Sequence, residues 1–318
     1  MMTTKGDSPF SQLAPVAVIG QGYIGRNVTA YLRRLGAPVL AITSRPNVPD
    51  AITHSLRDLQ GLTNLLAFYD EQAEWYGVGA VIHAAGPAPD PPCLADPSEA
   101  LWVHATLPAA LCDWAALNPD YRRVLYLSSM RVFEASSLPA PYHEEYEPAP
   151  SSFYAQCKRL GELVIATDRN VTLRLSSVFG VGADPAARAR TAIHQMIDAA
   201  LGAGDVHARP VTYGFLHIDD LCSALVPFIA GADAGQDLRT VHVQTDFAPL
   251  VEIARLIAAR VPVPASVVVQ ESDDTRDHYL ADGALHSVLR WRPKTGLENS
   301  IVATVDAEVA RLRESLAQ

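Results

Sequence analysis

Short apolar runs recur along the chain, and most are followed by a segment whose apolar positions have helical spacing, so strands and helices are predicted in alternation. Val16-Ala17-Val18-Ile19 is the first run. It leads straight into Gly20-Gln21-Gly22-Tyr23-Ile24-Gly25, after which Arg26 to Leu35 carries the helical period. Gly36-Ala37-Pro38 breaks that helix, Val39-Leu40-Ala41-Ile42 supplies a second strand, and a third is expected around Ala51 to Leu56. Gly79 to Gly86 reads as a fourth strand running into the small residues Ala84, Ala85 and Gly86. A helix from about Pro97 to Leu117 precedes a fifth strand, Val124-Leu125-Tyr126-Leu127-Ser128-Ser129, and Val171 to Leu175 forms another. This alternation predicts an α/β fold, a Rossmann-like doubly wound parallel sheet. Nothing repeats at a fixed solenoid period.

After Gly180-Val181-Gly182 the pattern loosens. An alanine-rich helix is expected from about Pro185 to Leu201, a strand at Phe215 to Ile218, an amphipathic helix from Leu250 to Val261, a strand at Val267 to Val269 and a last helix from Leu297 to Leu316. Asp219 and Asp220 are set to cap a helix beginning near Leu221. The expected organisation is a flexible extension over residues 1–14, a cofactor domain over 15–180 plus about 211–245, and a smaller C-terminal substrate-binding lobe over about 181–210 plus 246–318.

A chain of 318 residues that is 49% hydrophobic and 19% charged has enough apolar content for two packed lobes. Its formal charge of -10 and lack of basic clusters argue against a nucleic-acid or anionic-membrane partner. Residues 1–14 contain no apolar stretch resembling a signal or anchor, so the expected location is cytoplasmic. Cys93, Cys112, Cys157 and Cys222 show no CxxC spacing and are expected to be reduced and buried. The ten histidines form no HExxH cluster, and no metal site is assigned.

The candidate chemistry begins at Gly20, Gly22, Tyr23, Ile24 and Gly25. Between a strand and a helix, these glycines permit a tight turn and close backbone approach to a pyrophosphate, and the helix amino end favours the anion. No acid ends the second strand to hold an adenine ribose. Ser44 and Arg45 stand there instead, which suits a 2′-phosphate, although a solvated loop Arg fits the same pattern. Asp58, before Leu59, serves either the adenine or an ordinary helix cap. In Tyr154-Ala155-Gln156-Cys157-Lys158, four-residue spacing puts phenol and ammonium on one helix face, and a cation near a phenol favours phenolate. Lysine is scarce, with only Lys5 and Lys294 besides Lys158. Ser129 would emerge at the carboxyl end of a buried strand, where open α/β sheets bind ligands.

These pieces together resemble the extended short-chain dehydrogenase/reductases, the group that includes the NAD-dependent epimerase/dehydratase enzymes of sugar nucleotides. The resemblance runs through the glycine loop, Asp58-Leu59, His83-Ala84-Ala85, Leu127 to Phe133, Tyr154 to Lys158 with Gly161-Glu162, Leu173 to Gly180, Phe215 to Asp220 and Leu289 to Glu298. It implies that Ser129 orients the reacting oxygen, that Tyr154 transfers its proton, and that Lys158 lowers the tyrosine pKa and binds the nicotinamide ribose. It also implies a homodimer built partly from the Tyr154 helix. Several positions depart from the family pattern. Ile19 stands at the usual first glycine, with Gly20 serving instead. Met130 and Arg131 replace the Asp-Glu of family dehydratases, and neither can perform acid/base elimination at neutral pH. Ser177 stands where many relatives have Asn, and Tyr213 where many have Arg, with Arg209, Arg188 or Arg190 available to compensate. Trp102-Val103-His104-Ala105-Thr106 replaces a tract usually reading Asn-Val-x-Gly-Thr.

The expected protein is therefore an oxidoreductase or epimerase using NADP by preference, or NAD, and moving hydride at a secondary alcohol or ketone of a sugar-like small molecule. Met130, Arg131, Ser177 and Arg209 are its expected substrate contacts. A ketoreductase of a non-nucleotide metabolite and a silent NAD(P)-sensing regulator are the alternatives.

Overall fold

The structure, a computed structural model, describes residues 15–70, 79–87, 89, 92–117, 123–166, 169–182, 191–202, 204–230, 237–271 and 275–317. The expected extension over 1–14 lies outside the described residues, as do Arg188 and Arg190.

The first half of the chain runs β1 (Val16–Ile19), α1 (Tyr23–Arg34), β2 (Val39–Thr43), β3 (Ile52–Thr53), α2 (Leu59–Asp70), β4 (Ala80–His83), α3 (Pro92–Ala95), α4 (Pro97–Leu101), α5 (Leu107–Ala116), β5 (Arg123–Ser129), α6 (Phe153–Val164) and β6 (Val171–Leu175). The rest comprises β7 (Ser177–Phe179), α7 (Ala192–Leu201), β8 (Val206–Ala208), β9 (Thr212–His217), α8 (Ile218–Ile229), β10 (Thr240–Val243), β11 (Asp246–Pro249), α9 (Leu250–Arg260), β12 (Val267–Val269), α10 (Ala284–Ser287) and α11 (Leu297–Ala317).

Seven strands form one parallel sheet in the order β10-β6-β5-β4-β1-β2-β3. The order reverses between β1 and β4, where ligands bind in open α/β sheets. Strand alternation accounts for the double winding. Val16 and Val18 of β1 face a core that contains residues of α1 and α8, whereas Ala17 and Ile19 face Leu107, Leu111 and Trp114 of α5.

A second core gathers Phe179, Ile193, Ile197, Val206, Phe215, Ile253, Ile257 and Ile301. Strand β9 belongs to both cores, because Phe215 enters the second while its neighbour Leu216 enters the first. β9 pairs with β7 and β11 in a separate three-stranded sheet, and β8 pairs with β12.

Four local expectations change. The third strand is only two residues long. The helix expected from Pro97 to Leu117 contains a π-helical turn at Trp102–Thr106. Ser177 begins a strand that leaves the main sheet one residue after β6. Asp219 and Asp220 lie inside the first turn of α8, and the cap is His217, whose Nδ1 accepts from the Asp219 amide at 3.3 Å. Asp220 is buried because its carboxylate has work elsewhere, accepting from the Thr245 hydroxyl and the Lys294 amide at 2.8 Å each, and from the Thr295 hydroxyl. Among the described residues, no helix is long and apolar enough to cross a membrane. No group of three or more His, Cys, Asp or Glu side chains among them is arranged to hold a metal.

Candidate active site

The glycine loop joins β1 to α1 at the switch point. Gly20 has φ +94°, and a Cβ there would lie 2.5 Å from the Ala85 backbone. A Cβ on Gly25 would sit 1.7 Å from the Gly20 carbonyl oxygen. Both positions exclude a side chain because strand, loop and helix touch. Gly22 differs, since a Cβ there would meet nothing within 4 Å. It is the N-cap of α1, has no capping side chain, and is followed by a first turn without acidic residues. Open space at an uncapped helix amino end is what a pyrophosphate requires, so the residues present fit a dinucleotide. Tyr23 and Ile24 supply the first backbone amides of that turn. The Tyr23 side chain reaches away, its hydroxyl donating to the Gly180 carbonyl at 2.8 Å.

Ser44 and Arg45 are exposed just beyond β2, where the Arg45 amide donates to Thr43 Oγ1 at 3.1 Å. Asp58 takes the capping alternative, its Oδ1 accepting from the Gly61 amide at 2.8 Å just before Leu59 opens α2. Ala84 is tied to β1 by its amide, which donates a hydrogen bond of 2.9 Å to the Ile19 carbonyl. Gly86 has φ +139°, and a Cβ there would strike the His104 ring at 2.0 Å.

Ser129 ends β5, next to β4 and β6, and its Oγ accepts from the Arg131 amide at 3.2 Å to open a 3-10 turn over Met130–Phe133. Tyr154 stands in the first turn of α6, which is capped by Ser152 through a 3.3 Å bond from the Ala155 amide. Tyr154 is neighboured by Ser129, whose hydroxyl acts to lower the phenol pKa, so the two expected catalytic groups lie side by side. Burial raises the Tyr154 pKa above its ordinary value, the Arg131 charge and the neighbouring Ser129 hydroxyl oppose that rise, and Cys93 and Glu134 add to it. In the protein without ligand the phenol is therefore protonated at neutral pH.

Lys158 lies on the same face of α6, with its ammonium 5.8 Å from the Tyr154 ring centre and 5.1 Å from that of Tyr126. Its Nζ donates to the Leu127 carbonyl at 2.8 Å. Burial lowers its pKa to about 8 against the opposing pull of Cys93, Glu162 and Cys157. The Arg131 charge opposes the rise in the Tyr154 pKa, while the Lys158 ammonium, at a similar distance from the ring, is turned toward strand β5.

Two of the expected substrate contacts, Met130 and Arg131, lie in the 3-10 turn after Ser129. Met130 is buried with Val132, Phe133, Tyr142 and Leu280, because the 3-10 turn directs its thioether inward. Arg131 forms an ion pair with Glu134, whose other oxygen accepts from the Ser151 hydroxyl at 3.2 Å and the Ser152 amide at 2.9 Å. Ser177 and Arg209 are separate from this turn. Arg209 follows β8 and lines a cleft of about 390 Å³ with Met196, His207, Tyr213, Leu250 and Gln270. Tyr213 feels the charges of both Arg131 and Arg209, which links the cleft to the catalytic turn.

The sequence reading gave no site role to His83, His104, Cys93 or Glu134. Among the described residues, neither ring nitrogen of His83 or His104 has a hydrogen-bond partner, although both side chains are buried, and the His104 ring meets the Tyr154 ring edge-on at 5.7 Å. The nearby backbone of Val103 and Pro87 influences the two rings without forming geometric bonds to their nitrogens. Cys93 shares a buried cluster with Tyr154 and Cys157. Of these, only the Arg-x-x-Glu spacing of Arg131 and Glu134 was visible in sequence, and only if a helical turn was assumed.

A parallel sheet with a glycine loop at its switch point and a Ser, Tyr and Lys set on the neighbouring strand and helix defines the extended short-chain dehydrogenase/reductase class. Residues 16–243 match the model of the NAD dependent epimerase/dehydratase family, and the chain belongs to that family of enzymes. No curated protein matches the sequence. Among solved structures, the fold is similar to that of an epimerase from Methanothermobacter thermautotrophicus, at 19% identity and TM-score 0.79, covering 98% of each chain. It is also similar to UDP-glucose 4-epimerase from Thermotoga maritima with UDP-glucose, at 18% identity and TM-score 0.77, covering 94% of this chain and 99% of that one. MoeE5 in complex with UDP-glucose and NAD is similar at 21% identity and TM-score 0.74, covering 94% and 100%.

Proposed function

We propose that this protein is a cytoplasmic NAD(P)-dependent epimerase or oxidoreductase that acts at a secondary alcohol or ketone of a sugar-like substrate, with Tyr154 as the acid/base group. The observation that carries the reading is the placement of Ser129 at the end of β5 beside the buried Tyr154 phenol of α6, at the carboxyl edge of the same sheet that presents the open space at Gly22. A bound nicotinamide would supply or receive the hydride. The chain supplies the rest. Ser129 orients the substrate oxygen, the neutral phenol donates its proton to that oxygen in reduction, and the phenolate takes it back in oxidation. Lys158 would give its ammonium to the nicotinamide ribose. Ser44 and Arg45, exposed at the end of β2, favour NADP over NAD.

The second core and the cleft at Arg209 would form the substrate lobe. UDP-glucose in two structurally similar proteins supports a nucleotide sugar. Tyr213, at a position where many relatives have Arg, supports the second reading, a ketoreductase of a non-nucleotide metabolite. Exposed Leu160, Leu163 and Val164 on α6 support a homodimer through that helix.

Denaturing the purified protein and identifying any released nucleotide separates the readings, since retained NAD(H) supports an epimerase, and empty protein that takes up NADPH supports a net reductase. Tyr154→Phe is expected to keep the fold and cofactor affinity while lowering turnover at least about a hundredfold. Unchanged turnover on a substrate accepted by the parent would sink the Tyr154 assignment.

A further inference from the structure

Tyr23 stands in the glycine loop, but its side chain serves the other half of the molecule. Its backbone amide belongs to the first turn of α1, beside the open space at Gly22, whereas its hydroxyl donates to the Gly180 carbonyl at 2.8 Å. Burial, then Cys222, Asp219 and Glu308, raise the pKa of the phenol, so the hydroxyl stays a donor across the working pH range. The Tyr23 ring also meets the His194 ring of α7 in a T-shaped contact at 6.1 Å.

Both contacts lie on the way from the main sheet to the substrate cleft. Gly180 directly follows β7, and its φ of +126° excludes a side chain, since a Cβ there would lie 2.7 Å from the His217 ring. The backbone at that point is both packed against His217 and bonded to Tyr23. Helix α7 presents Ala192, Gln195, Met196 and Ala199 to the cleft, a spacing of i, i+3, i+4 and i+7 that makes one face. With about 3.6 residues per turn, His194 falls on the opposite face. Helix α7 thus has the cleft on one side and the glycine loop, through Tyr23, on the other.

We propose that Tyr23 is a positioning residue that ties the wall of the substrate cleft to the dinucleotide loop, so that a nucleotide seated on the Gly22–Tyr23 turn makes α7 more resistant to local opening. This rests on the glycine loop taking a dinucleotide, and it makes no demand on the chemistry at Tyr154. A pyrophosphate held by the amides of the turn restricts the Tyr23 backbone. The hydroxyl then passes that restriction to Gly180, and the ring passes it to α7.

Hydrogen exchange of the full-length protein, read by mass spectrometry with and without saturating NADPH and, in a separate arm, NADH, tests this. In the parent the nucleotide is expected to slow exchange of the α7 amides about fivefold, the scale of one hydrogen bond. Tyr23→Phe deletes the hydroxyl and keeps the ring, and is expected to reduce that effect to less than about twofold. Tyr23→Leu removes the ring contact as well and is expected to abolish it. Because every comparison is made at saturation, a change in affinity does not enter, and α5, on the other face of the sheet, is the internal reference. A merely structural role would speed exchange in the variants but leave the nucleotide-dependent difference intact. Circular dichroism identifies a variant that does not fold, and the Phe variant decides the matter if Leu fails. An α7 response that is the same in Tyr23→Phe as in the parent, or absent from a parent that calorimetry shows to bind nucleotide, overturns the proposal. A parent that binds neither nucleotide overturns the cofactor reading and this coupling with it.

Discussion

Glu162 and Arg174 join helix α6 to strand β6 through two hydrogen bonds of 3.0 Å, with both side chains nearly sealed from solvent. The same carboxylate accepts from the Ser128 hydroxyl at 2.6 Å, one residue before Ser129, and Glu162 lies one helical turn beyond Lys158. The pair therefore sets the register of Tyr154 and Lys158 against Ser129.

Removing Glu162 would leave a buried guanidinium without its counter-charge. Breaking such a pair costs roughly 3–5 kcal/mol, more than the pair contributes relative to an apolar replacement. Glu162→Ala is expected to lose stability on that scale in urea unfolding. Glu162→Gln, which retains an acceptor for Ser128, is expected to lose less. A loss below about 1 kcal/mol in the Ala variant would show that α6 is held in place by its apolar face instead.

Much of this frame was legible in sequence because it is local. The run Val16 to Ile19 followed by Gly20-x-Gly22-x-x-Gly25 specifies a strand, a tight turn and a helix within ten residues, and the structure adds only which glycines touch backbone. Tyr154 and Lys158 share a face because four-residue spacing dictates it. What stayed hidden depends on distant partners. Asp220 looks like a cap until Thr245 and Thr295 are brought to it by the fold. Met130 looks like a pocket residue until a 3-10 turn rotates it into contact with Tyr142 and Leu280. The direction of the Lys158 ammonium was likewise fixed by a carbonyl 31 residues away, at Leu127.

Arg45 carries the prediction on cofactor choice. Its side chain is exposed, and its guanidinium has no hydrogen-bond partner among the described residues, so it can meet an added phosphate without giving up an existing contact. Hydrogen bonds to charged groups contribute about 1.5–3 kcal/mol each, enough for a tenfold or larger preference. NADP(H) is expected to bind more tightly than NAD(H), and Arg45→Ala to remove the difference. Calorimetry showing equal affinities in the parent protein, or a preference for NAD(H), would contradict this.

Burial lowers the pKa of His83 from 6.5 to about 3, with the nearby Lys158 charge acting in the same direction, and burial likewise lowers that of His242 to about 3. Between these values the unfolded chain binds protons that the folded chain does not, so stability rises with pH across that window. The contribution of each ring is fully present above pH 6.5 and is lost as the pH falls toward 3. From pH 7 to pH 5 the loss is on the order of 2 kcal/mol per histidine. His83→Leu is expected to reduce the acid slope of the unfolding free energy by about one proton. An unchanged slope would place the acid sensitivity in other groups.

The exclusion of dehydration rests on the turn after Ser129. Eliminating water requires one group to remove a carbon-bound proton and another to protonate the departing hydroxyl. Met130 is buried in an apolar cluster and has no proton to exchange. Arg131 holds its charge and is paired with Glu134. Glu134 is a carboxyl group near Tyr154, and although burial pushes its pKa up, the bonds from Ser152 and the Arg131 charge hold it below the ordinary carboxylate range. It is therefore ionised at neutral pH and cannot act as the acid. Nucleotide sugars that 4,6-dehydratases accept are expected to give no 4-keto-6-deoxy product, whereas a ketone already formed can still be reduced or epimerised through Tyr154. Mass spectrometry of such incubations decides the matter, because loss of a single water at catalytic rate would mean that another group in the pocket supplies the missing acid.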